Sequence, residues 1–146
     1  MTIEFDVEGI PKAQPRPKAY VKGKHAAVYN PKTADSWKEL VHWEAKRCRP
    51  AKPLEGPIEL SLTFHMPRPK SHSCADGRLK VGAPVWHISR PDLDNLEKAI
   101  IDVLTQAGYW NDDSQVAYKI SGKLYRDKPG VIVKLKQLFP QWPPRR

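Results

Sequence analysis

Arg90-Pro91-Asp92-Leu93-Asp94-Asn95-Leu96-Glu97-Lys98-Ala99-Ile100-Ile101-Asp102-Val103-Leu104 is the stretch on which the reading of the whole chain turns. Leu93, Leu96, Ile100, Val103 and Leu104 recur at helical spacing and form one apolar face. Pro91 biases Arg90 toward an extended conformation. The spacing therefore predicts a helix from Asp92 to about Gln106, ended by Gly108. Asp92 precedes or caps this helix, and Asp94 lies in its first turn. Inside a helix, the i,i+2 spacing would splay these two carboxylates about 200° apart. At a strand-to-helix junction they can converge on one point. Asp94, Lys98 and Asp102 follow at four-residue steps on a polar stripe. Structural roles are open to all of them: helix capping and dipole complementation for the aspartates, an i,i+4 ion pair for Lys98 and Asp102.

Strands are expected on both sides of this helix. Ile58, Leu60, Leu62, Phe64 and Met66 alternate with polar or small residues, the clearest strand pattern in the chain. Ile3, Phe5 and Val7 alternate with acids, and Gly9 ends that strand. Ile10–Lys18 is a basic loop stiffened by three prolines. Ala19–Lys22 and Ala26–Tyr29 flank Gly23-Lys24 as a short hairpin. Thr33 can cap a helix running to about Cys48, with Trp37, Leu40, Val41 and Trp43 or Ala45 toward the core. Residues 67–83 form a long basic loop, of a length usually functional or mobile. Residues 84–88 form a short extended piece. Gln115–Leu124 alternates, with Val116, Tyr118, Ile120 and Gly122 on one side. Residues 126–130 are a turn, and Val131–Leu138 is the last strand. Residues 139–146 read as a tail. The expected fold is mixed α/β (α+β): one domain over 1–146, a mixed sheet of about four longer strands with hairpin pieces, and two main helices near 33–48 and 94–106.

Charge narrows the function. The 146 residues carry 25 Lys+Arg against 16 Asp+Glu, a formal +9, and 40% are hydrophobic. That is enough for one core and points to a polyanionic partner, most simply nucleic acid. Between Asp92 and Asp113 six acids face one base, a local −5, which leaves +14 for the rest of the chain. Such an island repels phosphate unless divalent cations fill it, and Mg2+ needs only one or two carboxylates. Asp112-Asp113 opens the strand beginning near Ser114. Neighbours on a strand point to opposite faces, so at most one aims at a given metal, and the other anchors the loop or orients a ligand. A plain Asn-Asp-Asp turn is the competing reading. No apolar run of about 18 residues exists to cross a membrane. No leader is visible, and two cysteines suggest a reducing, cytoplasmic setting. The histidines and cysteines lack zinc spacing, and neither a Gly-rich phosphate loop nor a nucleophile elbow occurs.

The Arg90–Leu104 stretch, followed by Trp110-Asn111-Asp112-Asp113-Ser114-Gln115-Val116, resembles the RusA family of Holliday junction resolvases. That family shows a Pro-Asp-x-Asp-Asn-x-x-Lys block, then Asp-Asp-x-Gln-Val and a later lysine, here Lys119 or Lys123. Gly9-Ile10-Pro11, Arg16-Pro17-Lys18 and Tyr29-Asn30-Pro31 are similar to its opening motifs. Lys18 stands where the family has Arg, and Val103 where it has a small residue. The resemblance covers about residues 3–137. It implies a homodimeric, Mg2+-dependent endonuclease (Mn2+ substituting) that nicks opposed strands of four-way junction DNA, encoded by a cell, phage or prophage. It places catalytic roles on Asp92, Asp94, Asp113 and Lys98, and metal binding on Asp92, Asp94, Asp113 and the adjacent Asp112.

The basic remainder then has a use. Arg16, Lys18, Arg90, Lys12, Lys70, Lys119 and Lys123 are expected along the DNA, with Arg16 and Arg90 nearest the scissile phosphate. Trp86 and Trp110 are candidates for stacking on unpaired bases or for the core. Two other functions compete with the nuclease. One is a non-catalytic junction-binding module, which would bind without cutting. The other is a metal-dependent phosphohydrolase of small nucleotides, which would leave so basic a surface without purpose.

Overall fold

A computed structural model describes residues 1–29 and 31–139. Its elements are β1 (Thr2–Glu8), β2 (Lys18–Lys22), β3 (His25–Tyr29), α1 (Asp35–Cys48), β4 (Ile58–Met66), α2 (Leu93–Gln106), β5 (Val116–Tyr125) and β6 (Gly130–Gln137). The main sheet has the order β1-β6-β4-β5. Only β4 and β5 run parallel; β6 is antiparallel to both β4 and β1. A right-handed parallel crossover needs a long connection, and α2 lies within the one between β4 and β5. β2 and β3 form a separate hairpin. The mixed α/β domain with two helices is as expected. Of the expected tail, residues 140–146 lie outside the described residues.

The core sits between the sheet and the two helices. Ile58, Leu60, Leu62, Phe64 and Met66 of β4 are buried against Leu96, Ile100, Val103 and Leu104 of α2. Trp37, Val41 and Ala45 of α1 form one buried column at four-residue steps. Leu40 and Trp43, offered to the core by the sequence, flank that column and stay 48% and 69% exposed. Thr33 does not cap α1; Ala34 precedes the helix and no side chain caps it. Lys46 and Arg47 do complement its C-terminal dipole. Gly9 has φ 145°, and a Cβ there would lie 2.9 Å from Leu40 Cδ1, so only glycine lets β1 end against α1.

β5 departs from the expected alternation. Val116 pairs with Ile58, but Tyr118 pairs with Glu59, a bulge that absorbs one residue. From there the face inverts. Lys119, Ser121, Lys123 and Tyr125 pair with Leu60, Leu62, Phe64 and Met66 and so turn toward the helices. Tyr118 and Ile120 end on the outer face, about half exposed. The polar column is accommodated by α2. Glu97, 7% exposed, accepts a bond from the Ser121 hydroxyl at 2.6 Å and pairs with Lys119 Nζ at 2.5 Å.

Candidate active site

The site begins where the chain crosses onto α2. Residues 85–87 are stitched to the end of β5 by bonds from Tyr125 N to Val85 O (2.8 Å) and from His87 N to Lys123 O (3.2 Å). The chain then leaves the sheet. Lys123 Nζ donates to Ser89 O at 2.6 Å and Pro91 O at 2.7 Å, on either side of Arg90. Asp92 follows in an extended conformation, φ −69° and ψ 145°, and its carbonyl accepts the first helical bond from Leu96 N. Its exposed carboxylate makes no capping bond, so capping is not its role. Asp94 takes the bond of Asn95 N on Oδ1 at 3.0 Å. Lys98, one turn beyond Asp94, is exposed and in no ion pair among the described residues.

The opposite wall is the proline-stiffened loop. Gln14 N donates to Asn95 O at 3.0 Å, and Lys38 Nζ donates to Gln14 Oε1 at 2.7 Å. Lys38 also reaches Asp102 at 3.8 Å, so Asp102 belongs to this anchor and not to a Lys98 pair. Between loop and helix opens a cleft of about 870 Å³ whose lining includes Lys12, Arg16, Thr33, Arg90, Asp92 and Asn95. Three bases and one carboxylate thus line the same cleft. His87 also lines it, 8% exposed and with Nδ1 unpartnered. Burial first, then the nearby Lys123 charge, holds its pKa below the ordinary value.

Asp112 and Asp113 are not brought to this cleft by their own chain. They sit at the other end of α2, on the turn Asp113–Gln115 that precedes β5. Asp113 lies just before Val116, where β5 starts, and Asp92 lies beside Lys123, which holds Pro91 O; the seven strand steps from Val116 to Lys123 span about 23 Å. The length of α2 independently gives about 21 Å. No cluster of three or more His, Cys, Asp or Glu suited to a metal exists among the described residues. The sequence expectation that the helix-start and strand-start carboxylates meet in one cleft is therefore not met within one chain. The cause is the crossover, which runs α2 antiparallel to β5 and puts the start of the helix and the start of the strand at opposite ends of β5. The two acids also differ from each other. Asp112 closes a capping box: Oδ1 accepts from Ser114 N at 2.8 Å, while Gln115 Oε1 accepts from Asp112 N at 3.2 Å. The backbone bond from Ser114, then the Ser114 and Asp113 side chains, hold the Asp112 carboxyl below the usual carboxylate range. Asp112 is the loop anchor, although both members of the pair are exposed.

The other basic candidates divide. Lys18 on β2 and Lys70 on the long loop are exposed. Lys119 and Lys123 are engaged by partners within the chain, Glu97 and the two carbonyls, although Lys119 stays partly exposed. The long loop is tied back by Arg68, which donates to Pro84 O at 2.7 Å and lies over the Tyr125 ring. Trp86 is 64% exposed, whereas Trp110 is core, its Nε1 bonded to Thr105 Oγ1 at 2.9 Å. Sequence reading did not single out Glu97, Gln14 or Gln115 as anchors, and Gln115 within the Asp-Asp-x-Gln block was the readable signal. In this donor set, Asp92 has a carboxylate outside any cap and Asp94 has Oδ2 to spare. Such hard oxygens suit Mg2+ that keeps several waters.

Across residues 8–136 the chain matches the family model described as Endodeoxyribonuclease RusA. It is 28% identical over 138 residues to the uncharacterized protein YqaN of Bacillus subtilis (strain 168), spanning 93% of this chain and 96% of that one. It is 36% identical over 53 residues to the crossover junction endodeoxyribonuclease rusA of Lactococcus phage r1t, spanning 36% of this chain and 40% of that one. It is 67% identical over 63 residues to the crossover junction endodeoxyribonuclease RusA of Escherichia coli (strain K12), spanning 43% of this chain and 37% of that one. The alignments to these two nucleases thus cover less than half of either partner.

Proposed function

The chain belongs to the RusA endodeoxyribonuclease family, and we propose that it is a Mg2+-dependent resolvase cutting opposed strands of four-way DNA junctions. The observation that carries this reading is Asp92, an uncommitted carboxylate on the wall of a cleft otherwise lined by Lys12, Arg16 and Arg90. A cleft built only for phosphate has no use for the acid, and one built only for a cation has no use for the three bases. A phosphodiester held beside a divalent cation uses both.

Asp92 and Asp94 are the residues to hold the metal in this chain. Mg2+ there supplies Lewis-acid polarisation of the phosphate and a water of lowered pKa. Arg16 and Arg90 bind the phosphate and orient its neighbours, and Lys12 and Lys18 continue the basic track. Lys98, in no ion pair among the described residues and one turn from Asp94, stabilises the charge that develops on the phosphate oxygens. Asp113 joins this set only from a second copy of the chain, because its own copy holds it at the far end of α2. A two-fold dimer meets that need and matches the two-fold symmetry of a junction. No helix among the described residues is long and apolar enough to cross a membrane.

Synthetic four-way junctions and linear duplexes of the same sequence test the reading. Paired nicks in the junction with Mg2+, and far weaker cutting of the duplex, are expected. Binding without cutting in Mg2+ or Mn2+ would leave only a junction-binding module. Hydrolysis of small nucleotides without junction binding would replace the reading altogether.

A further inference from the structure

The sequence assigns Lys123 to the DNA surface, but in the fold its ammonium is engaged inside the protein. The backbone bonds that hold the segment before α2 to β5 stop at His87 N–Lys123 O. The helical bonds start at Asp92 O. Ile88 to Pro91 lie between, with Ile88 92% exposed and Ser89 and Arg90 also exposed. Lys123 Nζ spans this gap, binding the carbonyls of Ser89 and Pro91 at 2.6 and 2.7 Å. The two carbonyls bracket Arg90. The second belongs to the peptide group whose nitrogen is that of Asp92. One side chain therefore fixes the backbone under both the arginine and the carboxylate that line the cleft.

We infer that Lys123 is a positioning residue that sets Arg90 and Asp92 relative to each other for the reaction. The inference rests on the nuclease reading above. An ammonium suits the task, since it has three donors and no acceptor, and two donors meet carbonyls that the helix and sheet leave free. The bulge after Val116 is what makes it possible. Without the inversion of β5, Lys123 would point to the outer face of the sheet and could not reach the segment.

The alternative, a lysine serving as a phosphate contact, predicts the opposite signs. A cation near a metal site repels the metal, so removing a mere charge leaves Mg2+ affinity unchanged or raises it. Removing a clamp lowers it, because the ligand loses its place. Lys123→Met keeps the alkyl stem and deletes the donors, and Lys123→Arg keeps both donors and charge. Hydrogen exchange of residues 88–96 gives a readout independent of activity. It is expected to accelerate in Lys123→Met and to return to the wild-type rate in Lys123→Arg. In junction cleavage, Lys123→Met is expected to raise the Mg2+ half-saturation about tenfold, the usual cost of losing a supporting partner. Its salt slope for metal-free junction binding is expected to match wild type, because Arg90 keeps its charge. The inference is overturned if exchange and Mg2+ half-saturation stay at wild type while the salt slope shrinks by about one, the signature of a lost phosphate contact. Should Lys123→Met fail to fold, Lys123→Gln, with two neutral donors, takes its place under the same criteria. If wild type itself does not cut, the nuclease reading fails, while hydrogen exchange still decides whether Lys123 clamps the segment.

Discussion

Glu97 is the most consequential side chain that the sequence conceals, and its removal has a calculable effect. It lies on α2 between Asp94 and Lys98, and its side chain is 10% exposed against 41% for that of its partner Lys119. One oxygen accepts from Ser121 at 2.6 Å and the other pairs with Lys119. Glu97→Ala deletes both bonds. The bond from Ser121 to a buried carboxylate contributes about 1.5–3 kcal/mol. The ion pair adds at most about 1 kcal/mol, since the freed lysine can turn into water. The expected loss is therefore about 2–3 kcal/mol, and roughly 1 kcal/mol for Glu97→Gln, which keeps an acceptor for Ser121. Urea denaturation followed by circular dichroism reads this as a lowered midpoint with an unchanged slope. In a thermal melt of a chain this size the alanine variant should fall by about 6–9 °C. A double-mutant cycle with Lys119→Ala should give a coupling below about 1 kcal/mol. A loss under about 0.5 kcal/mol for Glu97→Ala would refute the reasoning, since a desolvated anchor between α2 and β5 cannot be removed so cheaply.

Tyr109 is fully buried, and its hydroxyl donates to Ala45 O at 2.6 Å, tying the end of α1 to the chain after α2. Burial, and then the neighbouring Cys48, pushes its pKa well above the ordinary value, so it stays a donor across all working pH. Tyr109→Phe should cost about 1–2 kcal/mol in the same denaturation assay. His65 and His87 both have pKa values lowered from 6.5, chiefly by burial, so the folded chain binds fewer protons than the unfolded one. Stability should therefore be fully present above pH 6.5 and fall as pH drops through their lowered values, and His87→Gln should flatten that fall in melts between pH 7 and 5. A mixture of Asp94→Asn and Asp113→Asn proteins should recover single nicks that neither gives alone, because a mixed dimer restores one site and disables the other. Recovery of nothing, with mixed dimers shown to form, would remove Asp113 from the site.

Local pattern carried most of the architecture. The strict alternation of β4 and the apolar face of α2 each have only one way to bury, and both formed where the sequence places them. Pro91 and the uncommitted Asp92 likewise marked the helix start and one wall of the cleft. What the sequence concealed depends on long-range registration. The bulge opposite Ile58 and Glu59 inverts β5, and no local signal marks it; it turns Tyr118 and Ile120 outward and draws Lys119 and Lys123 inward. The separation of Asp113 from Asp92 is similarly a property of the crossover. A short gap in sequence hides a strand's length in space, because α2 carries the chain from one end of the strands back to the other.

Junction cleavage by wild type and Asp94→Asn, at protein concentrations giving equal junction occupancy and across a Mg2+ titration, tests the central claim most directly. Asp94 lies at the head of α2 with one oxygen bonded to its own helix and the other free. The account predicts Mg2+-dependent paired nicks from wild type and their loss from Asp94→Asn, with binding retained. Equal cutting by both proteins, or cutting by wild type in the absence of any divalent cation, would contradict it.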